Sequence, residues 1–290
     1  MWYPQPFLIW MEVFKSRNKL KIKGEFFSVK DILESGQVFR FWPHEGGYLL
    51  VAGRQLAFLR QEGDSVDIEC TDEQYFYRYF DLDTDYQKIT QSLCRFPALK
   101  AAIDFGKGIR ILRQEKLETL ISFIISANNN IKRIQKIIGR ICEGLGDELE
   151  FNGIRYRAFP NAERLAGAGE EFFFKAGAGY RAGYIAQAAG KVLSGFDLEA
   201  ISDLPTEQAR ARLMSIKGVG KKVCDCVLLF AYGRQDVFPV DTWMEKVFLQ
   251  DLFPEEDCRD RGQISKRCVE MFGGLSGYAQ QYLFYYKRMN

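Results

Sequence analysis

Between residues 65 and 70 the chain alternates strictly, with Val66, Ile68 and Cys70 apolar and Ser65, Asp67 and Glu69 polar. A period of two puts the apolar set on one face of a strand and the polar set on the other. The segments GYLLVAG and RQLAFLR come just before it and join through Gly53-Arg54. Residues 47–70 therefore predict an antiparallel meander. Upstream, Ser28 with Asp31 three residues on predicts a capped start for a helix in VKDILESG. The first hundred residues read as strand-rich.

From about residue 106 the period lengthens. Leu117, Leu120, Ile121 and Ile124 trace one helical stripe, and the pattern continues through 131–143. Asn152-Gly153 interrupts it with a two-residue hairpin signal. Helical periodicity then resumes at 161–167, 180–194, 206–216, 221–232, 242–250, 261–272 and 275–288. The pattern predicts an α+β protein, with a β-rich N-terminal domain over 1–105 and a helical core over 106–290. No repeat and no low-complexity linker separates the two, so they are expected to pack as one body.

Composition narrows the chemistry. Apolar residues make up 47% of the 290 positions, as in an ordinary globular protein. No apolar run approaches the roughly 18–20 residues that span a bilayer. The first twenty residues have no basic segment ahead of their apolar stretch, unlike a secretory signal. An intracellular protein is expected. Seven cysteines without CxxC spacing suit free thiols in a reducing compartment, and one histidine is too few for most zinc sites. No metal and no iron–sulfur cluster is expected. Net charge is only +2, yet Lys132, Arg133, Lys136 and Arg140 crowd IKRIQKIIGR with no acid among them. Acidic DLDTD offsets them elsewhere, so the charge describes one basic face. A solvated helix face would look the same.

The segment IKGVGKKVCDC holds a glycine turn that opens an apolar helix. Thr206 is placed to cap the helix before it. Gly218 and Gly220 let a phosphate approach the exposed N–H groups at the second helix's start, where the dipole also favours an anion. Lys221 has Asp225 at i+4, which predicts an ordinary ion pair. Lys222 instead has Cys226 at i+4 and Leu229 at i+7. An amine on such a face loses solvation, which favours its neutral, nucleophilic form. A lysine snorkelling from a helix end shares that spacing. Downstream, Asp241 stands directly before the periodic WMEKVFLQ, as a helix N-cap does.

A helix, a glycine hairpin with a lysine on its apolar side, and a capped aspartate some twenty residues later together resemble the helix–hairpin–helix signature of base-excision DNA glycosylases. The likeness to the eukaryotic type of 8-oxoguanine DNA glycosylase covers nearly the whole chain. It includes SGQVFRF (35–41), GIRILRQEKLETLISFIISANNNIKRI (108–134), GIRYRAFP (153–160), AGAGYRAGYIAQAA (176–189) and GYAQQYLF (277–284). It implies a helical glycosylase core, with the hairpin motif at 206–232, behind an N-terminal antiparallel sheet.

The resemblance also implies roles. Lys222 would attack C1′ of the damaged nucleotide, Asp241 would stabilise the sugar's developing positive charge, and β-elimination through a Schiff base would nick the strand. Asn128 would fill the space left by the flipped base. Arg133 and Arg181 would contact the orphaned cytosine, with Tyr180 wedged beside it. Phe284 and Cys226 would cover the two faces of the lesion base, Gln280 would read its Watson–Crick edge, and Pro239 would lie near its rim. The carbonyl of Gly36 would accept the N7–H that 8-oxoguanine has and guanine lacks. Double-stranded DNA with 8-oxoguanine opposite cytosine is the implied partner. No cofactor is expected beyond a monovalent cation on the hairpin carbonyls, and no membrane. A monomer is expected, in the cytoplasm or, in a eukaryote, the nucleus.

Two positions depart from the family pattern. Trp243 replaces a histidine that contacts phosphate, and Lys287 replaces an acid near the lysine. Two other readings stay open: a helix–hairpin–helix glycosylase for another damaged base, or a non-enzymatic DNA clamp.

Overall fold

The alternating segments form the predicted meander and extend it on both sides. The computed structural model describes residues 11–290; the first half of the twenty-residue segment weighed above as a signal lies outside them. Strands β1 (Glu12–Ser16), β2 (Lys19–Lys23), β3 (Phe41–His44), β4 (Gly47–Ala52), β5 (Gln55–Glu62) and β6 (Ser65–Cys70) make one antiparallel sheet, ordered β1-β2-β6-β5-β4-β3. Val66, Ile68 and Cys70 are all buried, as the alternation requires. Helix α1 (Val29–Glu34) packs on this sheet, and the Ser28 hydroxyl accepts from Asp31 N–H at 3.2 Å.

The strand-rich reading of the first hundred residues needs a correction at its end. Residues 73–105 are helical, as α2 (Glu73–Tyr79), α3 (Tyr86–Leu93) and α4 (Lys100–Phe105). Tyr86, Leu93, Leu99, Ala102 and Ile103 belong to the hydrophobic core of the helical body, whereas Phe76, Tyr79, Phe80 and Leu82 belong to that of the sheet. Along this stretch core membership changes between Leu82 and Tyr86, while Phe26 and Phe39 also join the helical core and Leu112 the sheet's. Short helices with few turns show too little periodicity to be seen in sequence.

The helical body contains α5 (Lys116–Ser126), α6 (Ile131–Leu145), α7 (Ala162–Lys175), α8 (Ala182–Leu193), α9 (Thr206–Met214), α10 (Lys221–Tyr232), α11 (Thr242–Val247), α12 (Arg261–Phe272) and α13 (Ser276–Met289). Between α6 and α7, β7 (Glu148–Phe151) and β8 (Ile154–Arg157) form the hairpin marked by Asn152-Gly153. Both turn residues have positive φ, +49° and +77°, as a primed turn demands. This hairpin packs Tyr156, with Leu149 and Ile154, against Leu49, Val51 and Leu56 of the sheet. Helix α7 is two segments joined at Gly169, whose φ of +71° and ψ of 169° are non-helical; the segment before it, 162–168, is the one the pattern predicted, and a second follows the break. Thr206 begins α9 as its first helical residue and caps nothing; Pro205 holds the cap position.

The two bodies are stapled by a buried ion pair. Arg40, after α1, meets Glu118 of α5 at 3.2 Å and also donates to Gly53 O and Arg157 O. Glu118 accepts from Gly53 N–H at 2.7 Å. Sheet, helix α5 and the β7–β8 hairpin therefore share one polar node. Among the described residues no helix is long and apolar enough to cross a membrane.

Candidate active site

Two apolar helices cross at the centre of the helical body, and one lysine stands where they meet. Helix α10 starts at the glycine turn and buries Val223 to Phe230 between α5 and α9. Its second residue, Lys222, is half-buried, with Nζ 3.3 Å from Ser126 Oγ and 5.2 Å from the centre of the Phe123 ring. Lys222 therefore does not snorkel away; it turns toward α5. Burial pushes the neighbouring Cys226 thiol up to about 11, although the Lys222 amine pulls it down. That thiol stays protonated at neutral pH and does not compete as a nucleophile.

Lys221 departs from its expected pairing with Asp225. Its amine donates to Gly262 O at 3.2 Å, while Asp225 is 1% exposed and meets Arg210 of α9 at 2.9 Å. Spacing alone misled here, because Asp225 points into the joint between α9 and α10, where the longer guanidinium reaches it first. Gly218, at φ +90°, has a second reason to lack a side chain: a Cβ there would stand 2.7 Å from Tyr184 Cβ and Cγ. Gly220 is the N-cap of α10 and has no side chain to satisfy the helix's first N–H groups, so these remain available.

Asp241 caps α11 as its position predicted. Its Oδ1 accepts from Trp243 N–H at 2.9 Å and Met244 N–H at 3.0 Å. Lys222 and Asp241 lie together on the wall of an open cleft of about 1020 Å³. The same two residues line a small inner recess with Gly36, Cys226 and Pro239. Gln280 and Phe284, one turn apart on α13, close its far side. Seven residues far apart in sequence thus meet around one hollow. The recess holds only about 40 Å³ in this form, room for a water molecule and not for a purine. Phe284 shuts it: a Cβ at Gly36 would lie 3.0 Å from Phe284 Cε1.

The three successive asparagines divide their work. Asn130 caps α6, accepting from Arg133 N–H at 3.0 Å, and Asn129 bonds back to Ile125 O at 3.1 Å. Asn128 is exposed, with φ +50°, and among the described residues its side chain makes no hydrogen bond. It alone of the three projects free over the cleft. Arg133 is exposed and touches Gly177 O at 3.2 Å. Tyr180 is 59% exposed beside it.

Arg181, expected to contact the orphaned cytosine, is turned inward in this form. It is 4% exposed, and its guanidinium donates to Ala127 O, Asn128 O and Ala178 O. Its ring neighbour is Tyr180, with the guanidinium carbon 4.3 Å from the ring centre. In this form its fork holds the asparagine loop in place. Lys287 points away from the recess and pairs with Asp251 at 3.0 Å. Trp243 stands on the rim of the cleft, 38% exposed, with Lys246 Nζ 5.1 Å from its ring centre.

Sequence reasoning missed Ser126, Phe123 and Arg288. The first two are unremarkable positions on α5 whose meeting with Lys222 depends on how the helices cross. Arg288 carried a signal, since it continues the i, i+4 series of Gln280 and Phe284.

Residues 19–120 match the family described as 8-oxoguanine DNA glycosylase, N-terminal domain, and residues 121–272 match the HhH-GPD superfamily base excision DNA repair protein. The N-glycosylase/DNA lyase of Saccharomyces cerevisiae is 32% identical over 266 residues, covering 81% of this chain and 70% of that protein. The crystal structure of Clostridium acetobutylicum 8-oxoguanine glycosylase/lyase, in complex with double-stranded DNA containing cytosine opposite 8-oxoguanine, superposes with a TM-score of 0.91. Identity is 39%, over 96% of this chain and 98% of that one. A 3-methyladenine DNA glycosylase from Archaeoglobus fulgidus shares the fold at a TM-score of 0.73 and 20% identity, over 90% of this chain and 93% of that one.

Proposed function

The chain belongs to the 8-oxoguanine DNA glycosylase family of HhH-GPD base-excision repair proteins, and we propose that it removes 8-oxoguanine opposite cytosine through Lys222 and then nicks the strand. It is a bifunctional N-glycosylase/DNA lyase that acts on double-stranded DNA. The observation that carries the residue assignment is the single recess shared by Lys222, Asp241 and the five residues that would hold a flipped base.

The lone pair of the Lys222 amine forms a bond to C1′ as the bond from C1′ to N9 breaks, and the base leaves with that electron pair. Asp241, on the same wall, stabilises positive charge building on the sugar. One of the two protons on the attached nitrogen passes to the departing base and the other to O4′ as the C1′–O4′ bond breaks, which opens the sugar ring and leaves an imine. Loss of a proton from C2′ expels the 3′ phosphate, which cuts the strand. Phe284 and Cys226 would sandwich the base, Gln280 would read its edge beside Pro239, and the Gly36 carbonyl would take N7–H. A guanine would turn its N7 lone pair toward that oxygen, an unfavourable pairing of acceptors. Asn128 would occupy the gap in the duplex, and Arg133 and Tyr180 would meet the orphaned cytosine, with Arg181 behind them. Gly218 and Gly220 would admit a phosphate to the start of α10.

One chain supplies every wall of the recess, which suits a monomer. No cofactor enters the reaction. The hairpin carbonyls offer hard oxygen donors to a monovalent cation, and Ile216 O and Gly220 O each keep a lone pair beyond the bonds from Val219 N–H and Cys224 N–H. The work would be done wherever the chromosome lies, in cytoplasm or nucleus.

The test is base release from duplexes holding 8-oxoguanine opposite each of the four bases, with borohydride added to trap the imine. Fastest release opposite cytosine, with a trapped covalent complex, is expected. Preferential release of an alkylated purine would favour a different lesion, and binding without trapping would favour a DNA clamp.

A further inference from the structure

Helix α13 touches both the recess and the end of α1. Gln280 and Phe284 face the recess. Gln281, which also lines the recess, Tyr285, and Arg288, one turn beyond Phe284, reach the end of α1, where the chain turns into Gly36. Gln281 Nε2 donates to Ser35 O at 3.1 Å, Tyr285 Oη donates to Asp31 Oδ1 at 3.0 Å, and Arg288 Nη2 donates to Glu34 O. Gln281 and Tyr285 are each 2% exposed. The last helix of the core therefore grips, at three successive points, a segment that folds with the N-terminal sheet.

Arg288 does more than anchor. Its guanidinium carbon lies 5.5 Å from the centre of the Phe284 ring, and Nη1 would stand 2.7 Å from a Cβ at Gly36. That nitrogen is buried and has no hydrogen-bond partner among the described residues. An unpaired buried donor on a half-buried guanidinium is costly, so its retention in this corner calls for a purpose beyond packing. An oxygen of the nucleotide entering between Gly36 and Phe284 would satisfy it.

We propose that Gln281, Tyr285 and above all Arg288 are positioning residues for lesion recognition, holding the Gly36 carbonyl at the place where it can accept N7–H of 8-oxoguanine. This rests on the glycosylase reading given above. Lesion and normal base differ at N7 by one hydrogen. Telling them apart needs the carbonyl within hydrogen-bond range, and a shift of about 1 Å forfeits the bond. Carbonyl groups on a loop keep no such precision unless their neighbours are tied. The three bonds from α13 supply that tie across the joint between the two bodies.

The experiment compares two substrates opposite cytosine: 8-oxoguanine, which uses the Gly36 carbonyl, and a preformed abasic site, which has no base to read. Arg288→Met should slow single-turnover excision of 8-oxoguanine about tenfold, the usual consequence of losing a charge-assisted hydrogen bond. Cleavage at the abasic site should fall much less, and Arg288→Lys should recover most of the excision rate. Tyr285→Phe, which removes only a hydroxyl, should show the same split more weakly and serves if Arg288→Met does not fold. Equal losses on both substrates, or unaltered excision, would overturn the proposal. A wild type inert on both would instead remove the glycosylase reading itself, and this inference with it.

Discussion

The Lys222 amine stands 3.3 Å from the Ser126 hydroxyl, across the joint of α10 and α5. The hydroxyl donates its own proton to Phe123 O at 2.8 Å, so toward Lys222 it acts as an acceptor that orients the nitrogen. Nucleophile and orienting group should respond very differently to mutation. Lys222→Gln should lower excision at least about a thousandfold and abolish borohydride trapping, as loss of a nucleophile does. Ser126→Ala should slow excision only several-fold and leave trapping intact. Trapping by Lys222→Gln at the wild-type level would show that another amine attacks.

Gly36 should tolerate no side chain. Its φ of +82° strains any other residue, and a Cβ would press on Arg288 and Phe284. Gly36→Ala should cost about 1–3 kcal/mol of stability from backbone strain. Excision of 8-oxoguanine should fall more steeply than that, because the displaced carbonyl is the group that reads N7. Urea denaturation and single-turnover kinetics on the same preparation separate the two effects. Excision that tracks stability alone would mean that this carbonyl has no reading role.

Much of this is legible in the sequence. Asp241 as a cap, the Asn152-Gly153 hairpin and the alternation of β6 are local features, governed by neighbours in sequence, and each took the form its pattern implied. Contacts decided by how helices cross were not legible. Asp225 seemed a partner for Lys221 until α9 brought Arg210 against it. Arg181 had the residue type of a surface reader, yet the bend after α5 presents carbonyls that consume its donors. Spacing along one helix says which residues share a face and nothing of what faces them.

The two arginines near the asparagine loop should therefore separate in experiment. Arg133 is exposed and makes one bond to Gly177 O, so Arg133→Ala should leave stability within about 0.5 kcal/mol. It should lose several-fold of any preference for cytosine. Arg181→Ala takes the guanidinium from the carbonyls of Ala127, Asn128 and Ala178; Ala127 O keeps the Tyr180 hydroxyl and Ala178 O keeps the residue 181 N–H, so Asn128 O is the one left without its donor. The substitution should destabilise the fold by about 2–3 kcal/mol and slow excision opposite all four bases alike. Thermal melts with an opposite-base series would distinguish these patterns, and an unaltered melt for Arg181→Ala would contradict the bracing role.

Asp225 gives the fold a pH dependence of predictable sign. Burial pushes its carboxyl up from 3.8 to about 6, outweighing the pull of Arg210. Its partner responds the other way: burial lowers the Arg210 guanidinium, but Asp225 and Glu207 more than offset this. The difference follows from depth, since the Asp225 side chain is 1% exposed against 14% for Arg210, and among the described residues Asp225 Oδ2 has no hydrogen-bond partner. A carboxyl whose folded value is raised favours the folded state most when protonated. Its contribution is complete below the unfolded value near 3.8 and is lost as pH rises through about 6. Relative to Asp225→Asn, which cannot titrate, the wild type should gain on the order of 3 kcal/mol between pH 7 and pH 4. Urea midpoints across that range measure the gain. Parallel curves for the two proteins would mean that pairing with Arg210, and not burial, sets the ionisation of this carboxylate.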